Sequence, residues 1–144
     1  MDDELTLPYD ILRLDHKERL DDRFLTTHLH RFEMFHHPVA IAIVVEIKDP
    51  WHPASEFGAK IINDIIRQFQ TSVASSFLTR FEDSLKYVNR TVRDATNQLN
   101  APVSCAALLL ESDQVHSSGI GTASLGLYRQ NRLSTIFGRR GSQS

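Results

Sequence analysis

Histidine is the residue type in this chain best suited to holding a metal, and the sequence has seven. Four of them fall close together, as His28-x-His30 and His36-His37, with His52 further on. On a strand, His28 and His30 share a face, a geometry that zinc sites use. The companion ligands are missing from the pattern, because there is one cysteine and no HExxH or CxxC spacing. Histidines facing solvent are therefore the expectation. Cys105 lies in the apolar run from Val103 to Leu110, where a buried, inert thiol is expected rather than a nucleophile. Gly119-Ile-Gly121 with Gly126 looks glycine-rich. However, Ser124 holds the third position of a dinucleotide loop, and no Gly-Lys-Ser/Thr phosphate loop is present. These glycines read as a bulge or close-packing device in a strand. Ser104, Ser117, Ser118 and Ser124 carry no nucleophile elbow. Asp21-Asp22 reads as a solvated turn and Glu46 as a strand-edge charge.

The elements that must position these residues follow from hydrophobic periodicity. From Lys17 to Phe35 a helical stripe and strand alternation compete. Thr and aromatic residues favour the strand, and Pro38 is expected to end the segment. Val39 to Ile47 is short, continuous and β-branched, which predicts a central strand covered on both faces. Pro53 suits the first turn of a helix, and Phe57, Ile61, Ile62, Ile65, Ile66 and Phe69 give that helix one apolar face. A second helix carries Phe77, Phe81, Leu85, Val88, Val92, Ala95 and Leu99 at helical spacing, with Ser75 or Ser76 as its cap. The period then changes. Strands are predicted over Val103 to Glu111, Val115 to Ile120, Ser124 to Arg129 and Arg132 to Phe137, with a two-residue turn at Gln130-Asn131.

Composition bounds the function classes. A chain of 144 residues with 41% hydrophobic and 24% charged residues fits one globular domain. A formal charge of −2 gives no electrostatic reason to bind nucleic acid or an anionic membrane. The longest apolar run, Val39 to Val45, is too short to span a bilayer. The acidic start, Met1-Asp2-Asp3-Glu4, does not resemble a signal peptide, so a cytoplasmic location is the default expectation. The organisation expected is an irregular segment over 1–16, one domain over 17–137 and a Gly/Ser/Arg-rich tail over 138–144.

The order of elements resembles the metal-dependent protein phosphatase (type 2C) family. Phe77 to Asn97 is similar to the family helix that precedes a Thr/Ala-rich strand, and Val103-Ser-Cys-Ala-Ala-Leu-Leu-Leu110 is similar to that strand. Ile120 to Leu133, with Gly121-Thr122-Ala123-Ser124 and Leu127-Tyr128-Arg129, is similar to the family's Val-Gly-Asp-Ser-Arg hairpin. Lys17-Glu18-Arg19-Leu20-Asp21-Asp22 resembles its Arg-x-x-(Met/Asn)-Glu-Asp opening, and Glu46 lies where it places an Asp-Gly metal motif. The resemblance implies an α+β fold: antiparallel sheets with two antiparallel helices inserted, like the first half of the family's αββα sandwich.

In that family, acidic side chains hold two divalent ions that bridge and sharpen a nucleophilic water. The resemblance assigns Asp22 and Glu46 to the metal and Lys17 to the phosphate, with manganese or magnesium as the ion of any residual site. The sequence departs from the family pattern at Ile47-Lys48, where Gly-His-Gly-Gly would stand, and at Gly121-Thr122-Ala123-Ser124, which lacks the acid and the arginine. The family's later metal acids have no counterpart within these residues. The expectation is a non-catalytic phosphatase-like domain without a cofactor, acting through a protein partner or self-association. A longin- or roadblock-like adaptor scaffold and an active serine/threonine phosphatase are the alternatives.

Overall fold

The first described element is a long hairpin. Strand β1 (Arg23–Met34) pairs along its length with β2 (His37–Lys48), from Arg23 opposite Lys48 to Met34 opposite His37. The computed structural model describes residues 23–48, 54–99, 103–120 and 125–137. The hairpin corrects the expectation that Pro38 ends a segment. The turn is Phe35-His36, both residues at positive φ (54° and 62°), and Pro38 lies inside β2 opposite Glu33. Its ring is tolerated there for a geometric reason. Met34 and His37 close the turn, so the nitrogen of the next residue points away from β1. On that side the pairing of β2 with β3 reaches only to Ala40, so no ladder bond is lost.

Helix α1 (Ala54–Thr71) and helix α2 (Phe77–Leu99) follow, joined by a short link. Both start and stop where the periodicity places them, although Pro53 lies outside the described residues. Ser76 caps α2: its Oγ accepts the backbone N–H of Thr79 at 3.0 Å. Strands β3 (Val103–Leu110) and β4 (Val115–Ile120) return antiparallel and complete a four-stranded sheet of order β1-β2-β3-β4. Strands β5 (Leu125–Arg129) and β6 (Arg132–Phe137) form a separate two-stranded sheet. Their turn, Gln130-Asn131, again has both residues at positive φ. The register shifts between Leu125 and Gly126, and a Cβ on Gly126 would meet Leu133 Cδ1 at 3.1 Å. The bulge and close-packing reading therefore holds for Gly126.

The fold class is thus α+β, with two helices inserted between the central strands β2 and β3. Alternation along the strands decides which face they cover. Ile41, Ile43, Val45 and Ile47 of β2, and Cys105, Ala107 and Leu109 of β3, are buried with Ile61, Ile65 and Phe69 of α1 and Phe81 and Val88 of α2. Each large side chain closed off this way contributes about 1.5–3 kcal/mol. The opposite face presents Ala42, Val44 and Glu46 of β2 with Ala106 and Leu108 of β3, and Val44 is 40% exposed. Strand β2 is central, as expected, but not sealed on both faces. The helices fill only one side.

Candidate functional site

Of the three residues assigned to metal and phosphate, Glu46 lies within the described residues. It is half-buried on the face of β2 away from the helices, opposite Leu25 of β1 and Ser104 of β3. Asp22 and Lys17 lie outside the described residues, so their convergence with Glu46 is not described. Two positions beyond Glu46, the register sets the basic residues Arg23 and Lys48 opposite each other. Among the described residues, no three His, Cys, Asp or Glu side chains stand together as a metal site.

The histidines are arranged differently from the expectation. His28 and His30 do share a face, but it is the helix face, and both are half-buried rather than turned to solvent. Their rings stack at 5.7 Å, His30 meets the Phe32 ring edge-on at 4.6 Å, and Phe32 tilts against the buried Phe69 at 5.3 Å. Phe69 passes the contact to Phe77 at 6.2 Å, which stacks on Phe35 at 6.1 Å. The His-x-His-x-Phe spacing is an aromatic ladder running into the core. His36 and His37, at the turn, are exposed.

Two buried charged residues escaped the sequence reading. Arg80 is 6% exposed. Its Nη1 donates to the Phe69 carbonyl at 3.0 Å and its Nε to the Ala74 carbonyl at 2.9 Å. It thus ties down the end of α1 and the link to α2 in one fork, where the helix C-terminus favours a cation. Asp64 is also buried, and its two carboxylate oxygens accept from Lys60 Nζ at 2.8 Å and Arg67 Nη2 at 2.9 Å. Asp64 and Arg80, each on an exposed-looking stretch of helix, give no warning of this in the sequence.

Cys105 is buried as expected, and burial pushes its thiol from 9.0 up to about 12. The neutral thiol is neither a nucleophile nor a metal ligand.

Among the described residues, a concave surface lies between α2 and the strand β4. One open cleft of about 430 Å³ is lined by Glu82, Lys86 and Asn89 of α2 and by Ser118, Gly119 and Ile120 of β4. A second of about 380 Å³ continues it, from Leu78 and Glu82 on the helix to Val115 and Ser118 on the strand. Leu78, Phe81, Leu85 and Ile120 line this surface together with the charged Glu82 and Lys86. None of its groups forms a nucleophile–base pair of the kind acyl or phosphoryl transfer needs.

No helix among the described residues is long and apolar enough to cross a membrane. No family model matches the chain, and no curated protein and no solved structure matches it.

Proposed function

We propose that this chain is a non-catalytic, phosphatase-like domain that acts through protein contacts. The observation that carries this reading is the surrounding of Glu46. It is the one described member of the acid set that the resemblance assigns. Its cross-strand neighbours are Leu25 and Ser104, and the basic pair Arg23 and Lys48 follows two positions on. Leu25 and Ser104 bring no carboxylate to a divalent ion at that place, where a two-metal clamp needs further acids. The insertion of both helices between β2 and β3 supports the phosphatase-like part of the reading, because that order is what the resemblance requires. The departures at Ile47-Lys48 and at Gly121-Thr122-Ala123-Ser124 support the non-catalytic part.

The test is hydrolysis of a generic aryl phosphate with manganese titrated in, on the wild-type chain and on Glu46→Gln. The expected result is no metal-dependent turnover in either protein. Manganese-dependent turnover that Glu46→Gln abolishes would overturn the reading in favour of an active phosphatase.

A further inference from the structure

The two edges of the four-stranded sheet are built differently. Sheet edges in stable monomers are guarded by charge, proline or bulges, because their free backbone groups invite another strand. On β1 the outward-pointing backbone groups belong to alternate residues that include Arg31 and Glu33, both exposed, so that edge is guarded. On β4, Val115-His116-Ser117-Ser118-Gly119-Ile120, there is no Lys, Arg, Asp, Glu or Pro, and the pairing with β3 runs without a bulge. Among the described residues no strand lies beyond it.

The direction of its backbone groups follows from the turn. The Glu111 N–H donates to the Gln114 carbonyl at 2.9 Å, so these two residues form the closing hydrogen-bonded pair. Alternation then turns His116, Ser118 and Ile120 toward β3 and leaves the N–H and C=O of Val115, Ser117 and Gly119 facing outward. Val115 is 49% exposed, and Gly119 is exposed as well.

The clefts fix how α2 lies along this edge. Leu78, Phe81 and Glu82 share one cleft with Val115 to Ser118, and Glu82, Lys86 and Asn89 share the next with Ser118 to Ile120, so helix and strand run in the same direction. The rise per residue, about 1.5 Å in a helix and 3.4 Å in a strand, places the level of Ser118 between Glu82 and Lys86.

We infer that the β4 edge is a homodimer interface, in which a second copy of this chain pairs its own β4 antiparallel about a two-fold axis through Ser118. The inference deepens the protein-contact reading above and rests on it. With the axis at Ser118, Ser117 of each copy stands opposite Gly119 of the other, and each such pair exchanges both backbone hydrogen bonds. Small side chains at those positions let the strands approach. The same axis sets Glu82 of one α2 opposite Lys86 of the other, and the reverse, so the exposed helix lip is self-complementary in charge. With strands about 4.8 Å apart, the two α2 helices come to lie on the order of 12 Å from each other, within reach of paired Glu and Lys side chains. The half-open cleft of each copy is then walled by the other.

Light scattering and sedimentation on the full chain at tens of micromolar test this, with far-ultraviolet circular dichroism as the control for folding. The expected result is a dimer. Ser117→Pro removes an outward N–H without touching the β3 ladder, and it should give a folded monomer. Glu82→Lys should weaken the dimer by about tenfold or more, since both symmetric contacts turn repulsive. Glu82→Lys combined with Lys86→Glu should restore it, because exchanging the charges preserves the complementarity. A wild-type monomer overturns the inference. So does a dimer indifferent to the Glu82 substitution and unrescued by the exchange, because that dimer uses another surface. A monomer without metal-dependent hydrolysis removes only the dimer, whereas one with such hydrolysis removes the underlying reading as well.

Discussion

The Arg80 guanidinium lies over the ring of Phe35, 5.4 Å from its centroid, and joins the tip of the β1–β2 hairpin to the junction of the two helices. Phe35 is 63% exposed and holds a left-handed backbone, a combination that ordinarily disfavours an aromatic residue. Arg80 above it and Phe77 beside it supply the compensation. Arg80→Ala removes both the fork to the Phe69 and Ala74 carbonyls and the cation over the ring. The expected loss is about 2–4 kcal/mol, because the helix end keeps its buried carbonyls without a donor. Phe35→Ala should cost about 0.5–1 kcal/mol. Urea unfolding of the two single variants and the double variant measures both, and a coupling near zero would show that the contact is incidental.

Phe69 is the node at which the ladder from β1 meets the helices, with rings on both sides and no exposure. Phe69→Ala should therefore destabilise the fold by about 3–5 kcal/mol, in the upper range for core truncations. A loss under 1 kcal/mol in a thermal or urea melt would mean that the ladder does not anchor the sheet to α1.

The ladder also predicts what His30 is for. If its ring is a packing rung, His30→Phe keeps the edge contact to Phe32 and should change stability by no more than about 0.5 kcal/mol. His30→Asp should cost several times as much by placing a charge among rings. A dependence of stability on added zinc that His30→Phe abolishes would instead reveal a ligand.

Cys105 gives the chain an alkaline signature. Its folded pKa, pushed to about 12, lies above its ordinary 9.0, so the folded state holds the thiol proton longer than the unfolded state. The stabilisation this represents is complete below pH 9.0 and is lost as the pH rises toward 12, at up to about 1.4 kcal/mol per pH unit. Comparing urea midpoints at about pH 8 and about pH 10.5 should show a fall in the wild type that is smaller in Cys105→Ala. An equal fall in both proteins would assign the loss to other groups.

Much of this architecture was legible because it repeats. The apolar steps from Phe77 to Leu99 fix α2, and Gln130-Asn131 marks its hairpin because Asn tolerates positive φ. Phe35-His36 performs the same turn with residues that carry no turn signal. The β1–β2 hairpin is therefore hidden in the sequence, where Pro38 reads as a terminus although it is the second residue of β2. The burial of Arg80 and Asp64 was illegible for another reason. Both residues lie on helix flanks, and only the helix–helix contact decides which flank is covered. The face of His28 and His30 was readable from their spacing, but not the side of the sheet to which it belongs.

The pairing of β2 with β3 has a kinetic consequence. Every other pairing of the described strands, and the packing of α1 on α2, joins neighbours in the chain. Ala40 meets Leu110 and Ile47 meets Val103 only after both helices have been spanned. Closing a loop of that length costs entropy before any contact repays it. The two halves, hairpin and helix pair, can form on local contacts alone. The docking of Val103–Leu110 against β2 is then the slow event that turns local structure into a cooperative domain, and substitutions at this seam will slow folding more than substitutions at any of the three hairpins.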